Sequence, residues 1–212
     1  MEQSGHLEVI CGCMYSGKTE ELIRRIRRVL IAKRKVQVFK SHRDTRYSKY
    51  EVISHTGEKI NAIVVPKDPH KETTSSEEFL KLIDYSFNVI AIDEIQFFDE
   101  KMAGVCNHLA NLGKRVIVAG LDLDFRGLPF RGPMSALLAY ADSIDKLHAV
   151  CSVCGETASM TQRFIDDRPA KWDETIYVVG GHDIYKAVCR EHHYIETPDD
   201  LSKNYKVEDH PE

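Results

Sequence analysis

Gly12-Cys13-Met14-Tyr15-Ser16-Gly17-Lys18-Thr19 has the spacing G-x-x-x-x-G-K-[ST] of a phosphate-binding loop. Glycines at those places let backbone N–H groups wrap around phosphate oxygens, Lys18 can bring its charge to the β- and γ-phosphates of a nucleotide, and the Thr19 hydroxyl is a hard oxygen ligand for Mg²⁺. The loop follows an apolar run and opens a helical pattern, which is the context the motif requires. A second chemical signal is Val89-Ile90-Ala91-Ile92-Asp93-Glu94, an apolar strand that ends in two carboxylates. Asp93 is placed to share Mg²⁺ with Thr19, and Glu94, just past the strand end, is a candidate general base for a nucleophile. Both signals would serve hydrolysis of ATP by water equally well, so the acceptor has to be read elsewhere.

The third signal is sulfur. Of six cysteines, Cys11, Cys13 and Cys106 lie in or beside apolar segments and read as small buried side chains. Cys151-x₂-Cys154, then 34 residues, then Cys189-x₂-His192 gives four N/S ligands in two pairs, which suits a closed tetrahedral Zn²⁺ site. That span exceeds a compact zinc ribbon, so a metal here would tie together the base of a long loop. His193 stands beside His192 and leaves two histidines for the fourth position.

These groups need elements to position them. Short Val- and Ile-rich runs at 7–11, 36–39, 89–92 and 116–119 predict strands buried on both faces of a sheet. Helical spacing of Leu22, Ile23, Ile26, Val29 and Leu30, with Glu20 and Glu21 early and basic residues late, predicts a helix whose charges suit its dipole. Further helices are predicted at 76–82, capped by Ser75 or Ser76, and at 101–112, closed by Gly113. Alternation of strand and helix implies an α/β parallel sheet with right-handed crossovers. The texture changes near Leu147, so a nucleotide-binding domain over 1–147, a metal-binding domain over 148–197 and a polar tail over 198–212 are expected.

The 212 residues suffice for such a domain plus a small appendage, and a hydrophobic share of 42% is ordinary for a globular chain. Net charge is -4 and the pI is about 6.2, so no broad positive field exists to hold a nucleic-acid polymer. Residues 1–8 carry no apolar signal, and no run of about 18 apolar residues suggests a membrane span. A cytoplasmic protein is expected.

Residues 12–22, Asp44-Thr45-Arg46-Tyr47-Ser48, Asp93-Glu94-Ile95-Gln96-Phe97-Phe98, residues 121–130 and the paired metal motifs, taken in order, resemble the P-loop, zinc-containing thymidine kinases typified by the cytosolic animal enzyme and its bacterial relatives. The likeness runs from about residue 7 to 195. It implies a RecA-like P-loop NTPase sheet followed by a small zinc domain, whose long loop, the lasso, closes over a nucleoside. It also implies transfer of the γ-phosphate of ATP to the 5′-hydroxyl of thymidine, with deoxyuridine accepted, in pyrimidine deoxynucleotide salvage. By resemblance Glu94 is the catalytic base, and Gly12 to Thr19 with Arg46, Asp93, Glu94, Ile95, Gln96 and Arg163 serve the ATP phosphates. Guanidinium groups there would stabilise the charge of the transferring phosphoryl group.

The nucleoside pocket implied is Met14, Phe97, Leu121, Phe125, Phe130 and Tyr185, an aromatic wall suited to a flat pyrimidine. Thr161, Ile176 and Val178 fall on the lasso and its support, where backbone groups would read the base edge, and Gly180-Gly181 would supply unusual backbone angles. Phe98 reads as core. Structural Zn²⁺, Mg²⁺ with ATP, a homotetramer and feedback binding of thymidine triphosphate are further implications. His192 occupies the place of a cysteine in animal members. The competing expectations are an ATPase coupled to DNA and a zinc-stabilised nucleotide-binding module without turnover.

Overall fold

The computed structural model describes residues 5–44, 51–53, 57–181 and 183–196. Arg46, with the rest of its motif from Thr45 to Ser48, and the 198–212 tail lie outside the described residues. In chain order the strands are β1 (His6–Gly12), β2 (Val36–Ser41), β3 (Glu51–Ile53), β4 (Lys59–Asn61), β5 (Ile63–Val65), β6 (Val89–Asp93), β7 (Arg115–Gly120), β8 (Ser143–Leu147), β9 (Ala149–Val150), β10 (Thr157–Ala158), β11 (Met160–Ile165), β12 (Arg168–Pro169) and β13 (Tyr185–Val188). The helices are α1 (Lys18–Ile31), α2 (Ser76–Leu82), α3 (Lys101–Asn111) and α4 (Met134–Tyr140).

The four apolar runs fall on β1, β2, β6 and β7, the middle of a six-stranded parallel sheet in the order β5-β2-β6-β7-β1-β8. Every residue of β6 is buried, as a strand covered on both faces must be. Leu22, Ile23, Ile26 and Val29 of α1 cover one face, while Phe79 of α2, Met102 and Leu109 of α3 and Leu137 of α4 cover the other. The Ser75 hydroxyl caps α2 by accepting from the Glu78 amide at 3.2 Å.

This order inserts β7 between the phosphate-loop strand β1 and the acidic strand β6, the RecA-like arrangement. Because all six strands run the same way, Gly12, Asp93 and Gly120 open at one edge of the sheet, where open α/β sheets place ligands. Gly120 is required there: a Cβ would stand 2.5 Å from Gln96 Oε1.

A buried ionic cluster braces the sheet away from that edge. Glu8 of β1 receives Arg25 Nη1 of α1 at 2.7 Å and Arg115 Nε of β7 at 2.5 Å. Arg25 also reaches Glu21 at 2.8 Å and Asp145 of β8. Burial pushes the Glu8 carboxyl up, but Arg115 and Arg25 more than offset it and hold it below its ordinary value. Hydrogen bonds from Arg24 lead the causes that bring Glu21 down to about 2.

After Leu147 the chain forms a β9–β10 hairpin and a β12-β11-β13 sheet, both antiparallel. The segment between β12 and β13 is the stretch expected to be the lasso.

Candidate active site

Gly17 takes a left-handed φ of 82° and hands the phosphate loop directly to α1, whose first residue is Lys18. The Lys18 ammonium donates to the Cys13 carbonyl at 2.6 Å, and the Ser16 hydroxyl donates to the same oxygen at 2.9 Å. Burial pushes the Lys18 ammonium below its ordinary range, and the charge of Glu94 pulls it back. Two bonds fasten the loop to the C-terminal part: the Met14 amide donates to Thr161 Oγ1 at 3.1 Å, and the Cys13 thiol donates to the Ala158 carbonyl at 3.3 Å.

The Thr19 hydroxyl donates to Asp93 Oδ2 at 3.2 Å, so the two oxygens suited to Mg²⁺ already meet. At the end of β6, Glu94 adopts a φ of 51°, which turns its side chain out of the strand's alternation. Asp93 Oδ1 accepts the Glu94 amide at 3.0 Å, and the Gln96 amide nitrogen donates to the Glu94 carboxylate. Gln96 Oε1 in turn accepts the Leu121 amide at 3.1 Å, tying the carboxylate to the end of β7.

A cleft runs from the phosphate loop to the lasso. Met14, Tyr15, Gly17, Lys18, Thr19 and Glu94 line it together with Phe97, Leu121, Phe125, Phe130, Thr161, Ile176, Val178 and Tyr185. All nine residues expected to touch the nucleoside thus share one space with Glu94. Phe97 and Phe130 meet edge to face at 6.3 Å, and the Tyr185 hydroxyl donates to the Val178 carbonyl at 2.8 Å. Phe98 is fully buried, as expected of core.

Several residues sit differently from expectation. Ile95 and Gln96, expected at the phosphates, are fully buried and outside the cleft lining, because the turn that brings Glu94 to the cleft folds them back under it. Arg163 is also outside the lining: it donates to the Thr175 carbonyl at 2.5 Å and stands 5.4 Å from the Phe125 ring centroid, backing the lasso. Gly12, Cys13, Ser16 and Asp93 lie behind the lining residues. Neither Gly180 nor Gly181 has a positive φ; Gly180 instead permits close packing, since a Cβ would meet Ile184 Cδ1 at 2.2 Å.

Other contributors escaped the sequence reading. Glu20, Ile53, Leu123, Asp124 and Val179 also line the cleft, and Asp124 fixes the loop after β7 by accepting from the Arg126 amide at 2.9 Å and its guanidinium at 2.6 Å. The polar, fully buried Asp124 beside two glycine- and arginine-rich turns offered no periodic signal.

The ligand atoms of Cys151, Cys154, Cys189 and His192 lie within 4.8 Å of one another. Ligands about 2.3 Å from a tetrahedral Zn²⁺ stand roughly 3.8 Å apart. The Cys154–Cys189 sulfur pair and the Cys151–His192 pair are each at 3.9 Å, while Cys189 Sγ to His192 Nδ1 is tighter at 3.0 Å. Burial pushes the Cys151 thiol up, but the amides of Cys154, Cys189 and Val153 outweigh it and hold the thiol at about 6, favouring the thiolate a metal needs. His193 turns away, its Nε2 bonded to the Phe125 carbonyl at 2.8 Å. The donor set fits Zn²⁺ with His192 as fourth ligand.

A parallel sheet of this order, with a phosphate loop on one strand and an acid pair on the strand two places away, defines a P-loop nucleotide-binding protein. The family described as thymidine kinase matches residues 5–193, and the chain belongs to that family of kinases. Solved structures similar in part are the flagellar accessory protein FlaH from Methanocaldococcus jannaschii (14% identity, 73% of this chain, 76% of that one, TM-score 0.43). Others are domain III of the Thermotoga maritima replication initiation protein DnaA (17%, 67% and 55%, TM-score 0.37) and the Legionella pneumophila ATPase DotB (15%, 74% and 44%, TM-score 0.41). Likenesses this distant carry no argument about activity. No helix among the described residues is long and apolar enough to cross a membrane.

Proposed function

We propose that the chain transfers the γ-phosphate of ATP to the 5′-hydroxyl of thymidine, and less well of deoxyuridine, giving the nucleoside monophosphate and ADP. The observation that carries this reading is that Glu94 shares one cleft with the phosphate loop and an aromatic wall. In the proposed step Glu94 takes the hydroxyl proton as the 5′-oxygen bonds to the γ-phosphorus and the bond to the β-phosphate oxygen breaks. Lys18 exchanges the Cys13 carbonyl for phosphate oxygens. Thr19 and Asp93 are the residues to hold Mg²⁺, which when bound with ATP neutralises charge on the β- and γ-oxygens. Arg46 is assigned to the transferring phosphoryl group. Arg163 keeps that assignment only if the lasso moves, since its guanidinium now serves Thr175 and Phe125.

The base is assigned to the space between Phe97, Phe130 and the lasso, with Ile176 and Val178 presenting backbone groups. Thymine offers an acceptor at O4 and a donor at N3; cytosine reverses both, at roughly 1–3 kcal/mol for each buried mismatch. The 5-methyl group adds only about 1 kcal/mol of apolar burial. The family likeness supports a cytoplasmic homotetramer in pyrimidine deoxynucleotide salvage, inhibited by thymidine triphosphate. It also supports a division into 1–147, 148–197 and a 198–212 tail.

ADP release measured in parallel with thymidine, deoxyuridine, deoxycytidine and single-stranded DNA tests the reading. Thymidine should stimulate most, deoxyuridine modestly less, and deoxycytidine and DNA barely. Stimulation by DNA, or deoxycytidine within about tenfold of thymidine in kcat/KM, would falsify it.

A further inference from the structure

In the lasso the Val178 amide donates to the Ile176 carbonyl at 3.0 Å, closing a tight turn around Tyr177, and Ile176 and Val178 line the cleft whereas Tyr177 does not. The Tyr177 ring packs against the back of the aromatic wall, 6.0 Å from Phe130 and 6.5 Å from Phe97 by centroid. Its outer contact is Arg43, in the turn after β2. The guanidinium carbon lies 5.4 Å from the Tyr177 ring centroid, and Nη1 donates to the Tyr177 carbonyl at 3.3 Å. The other nitrogens are engaged too: Nε donates to the Glu72 carbonyl at 2.7 Å and Nη2 to the Glu72 carboxylate at 2.5 Å.

The turn that bears Arg43 is itself anchored. Its amide donates to Ser41 Oγ at 3.1 Å, and next to it Asp44 pairs at 2.9 Å with Lys40, which is 1% exposed and sits in register with Asp93. A fixed point beside the metal-binding acid is thereby joined to the loop over the base. A planar guanidinium can face a ring while donating to a carbonyl on one side and a carboxylate on the other; an ammonium cannot do all three. Neither Arg43 nor Tyr177 lines the cleft.

We propose that Arg43 is a positioning residue that latches the lasso through Tyr177, setting the backbone of Ile176 and Val178 over the nucleoside base. The assignment of the base to that place rests on the function proposed above; the latch rests on the contacts of Arg43.

The experiment uses the full-length protein as wild type, R43A, R43K, Y177L and the R43A/Y177L double variant. Amide hydrogen exchange across residues 173–181 without nucleotide is read first, then kcat and KM for thymidine and for ATP, with zinc content and melting temperature confirming the fold. R43A and Y177L should each speed lasso exchange and raise the thymidine KM by about tenfold, leaving the ATP KM within about twofold, and the double variant should be no worse than the worse single one. R43K should fall between wild type and R43A. The latch is refuted by unchanged lasso exchange in R43A, by a rise in the ATP KM in place of the thymidine KM, or by fully additive effects. If the wild-type protein does not phosphorylate thymidine, the functional reading fails, and the exchange data alone decide the latch.

Discussion

Glu94 depends on two supports of different kinds, a left-handed backbone that aims it and a buried amide, from Gln96, that restrains it. A non-glycine residue in that backbone region costs on the order of 1 kcal/mol, a strain kept where the surroundings over-determine it. The consequence is a carboxylate held at the cleft wall, and if it is the base of the proposed reaction, Glu94→Gln should retain both substrates near their normal affinities while kcat falls by about 10²- to 10⁴-fold. Single-turnover quench measurements separate chemistry from product release; near-normal turnover would remove Glu94 from the role of base. The carboxylate itself was legible from an apolar strand ending in Asp-Glu. The inward turn of Ile95 and Gln96 was not, because it follows from one φ value that residue types do not announce.

The two metal-ligand pairs sit in turns just beyond β9 and β13, whose strands share one small buried cluster of Cys13, Cys151, Ala158, Met160, Ala187 and Val188. Strands of two residues, such as β9 and β10, bury few side chains, so a metal at Cys151, Cys154, Cys189 and His192 would add cohesion to that small cluster. Metal analysis should find about one Zn²⁺ per chain, with Cys189→Ser and His192→Ala losing it and melting earlier. His193→Ala should keep the metal, since that ring serves the Phe125 carbonyl instead; equal zinc loss in both histidine variants would overturn the ligand assignment. At this scale legibility followed burial. The continuous apolar runs of β1, β2, β6 and β7 carried a clear signal, whereas β8, an edge strand with mostly exposed residues, and the two- and three-residue strands have too little period to read. Arg43 and Tyr177 were hidden for another reason: their contact joins positions 134 residues apart.

Across the whole molecule, the buried Glu8 carboxylate joins β1 to α1 and β7, and Arg25 carries the cluster on to Asp145 of β8. Both Glu8 and Glu21 titrate below their ordinary value of 4.5 in the folded chain. Their stabilisation is therefore complete above pH 4.5 and is lost as the pH falls through the folded values, toward about 2 for Glu21. Denaturant midpoints should show no contribution from this cluster to any change between about pH 7 and pH 5.5, then an acid limb below pH 4.5 that Arg25→Met makes shallower. A wild-type acid limb unchanged by Arg25→Met would detach the cluster from acid stability. The bonds from Met14 to Thr161 and from Cys13 to Ala158 bear on something else. A chain ended after β8 would keep every residue of the sheet and of the phosphate loop, yet would leave that loop's amide and thiol without the partners that shape it. Exchanging the stretch after Leu147 by gene fusion would therefore disturb the phosphate loop as well as the lasso.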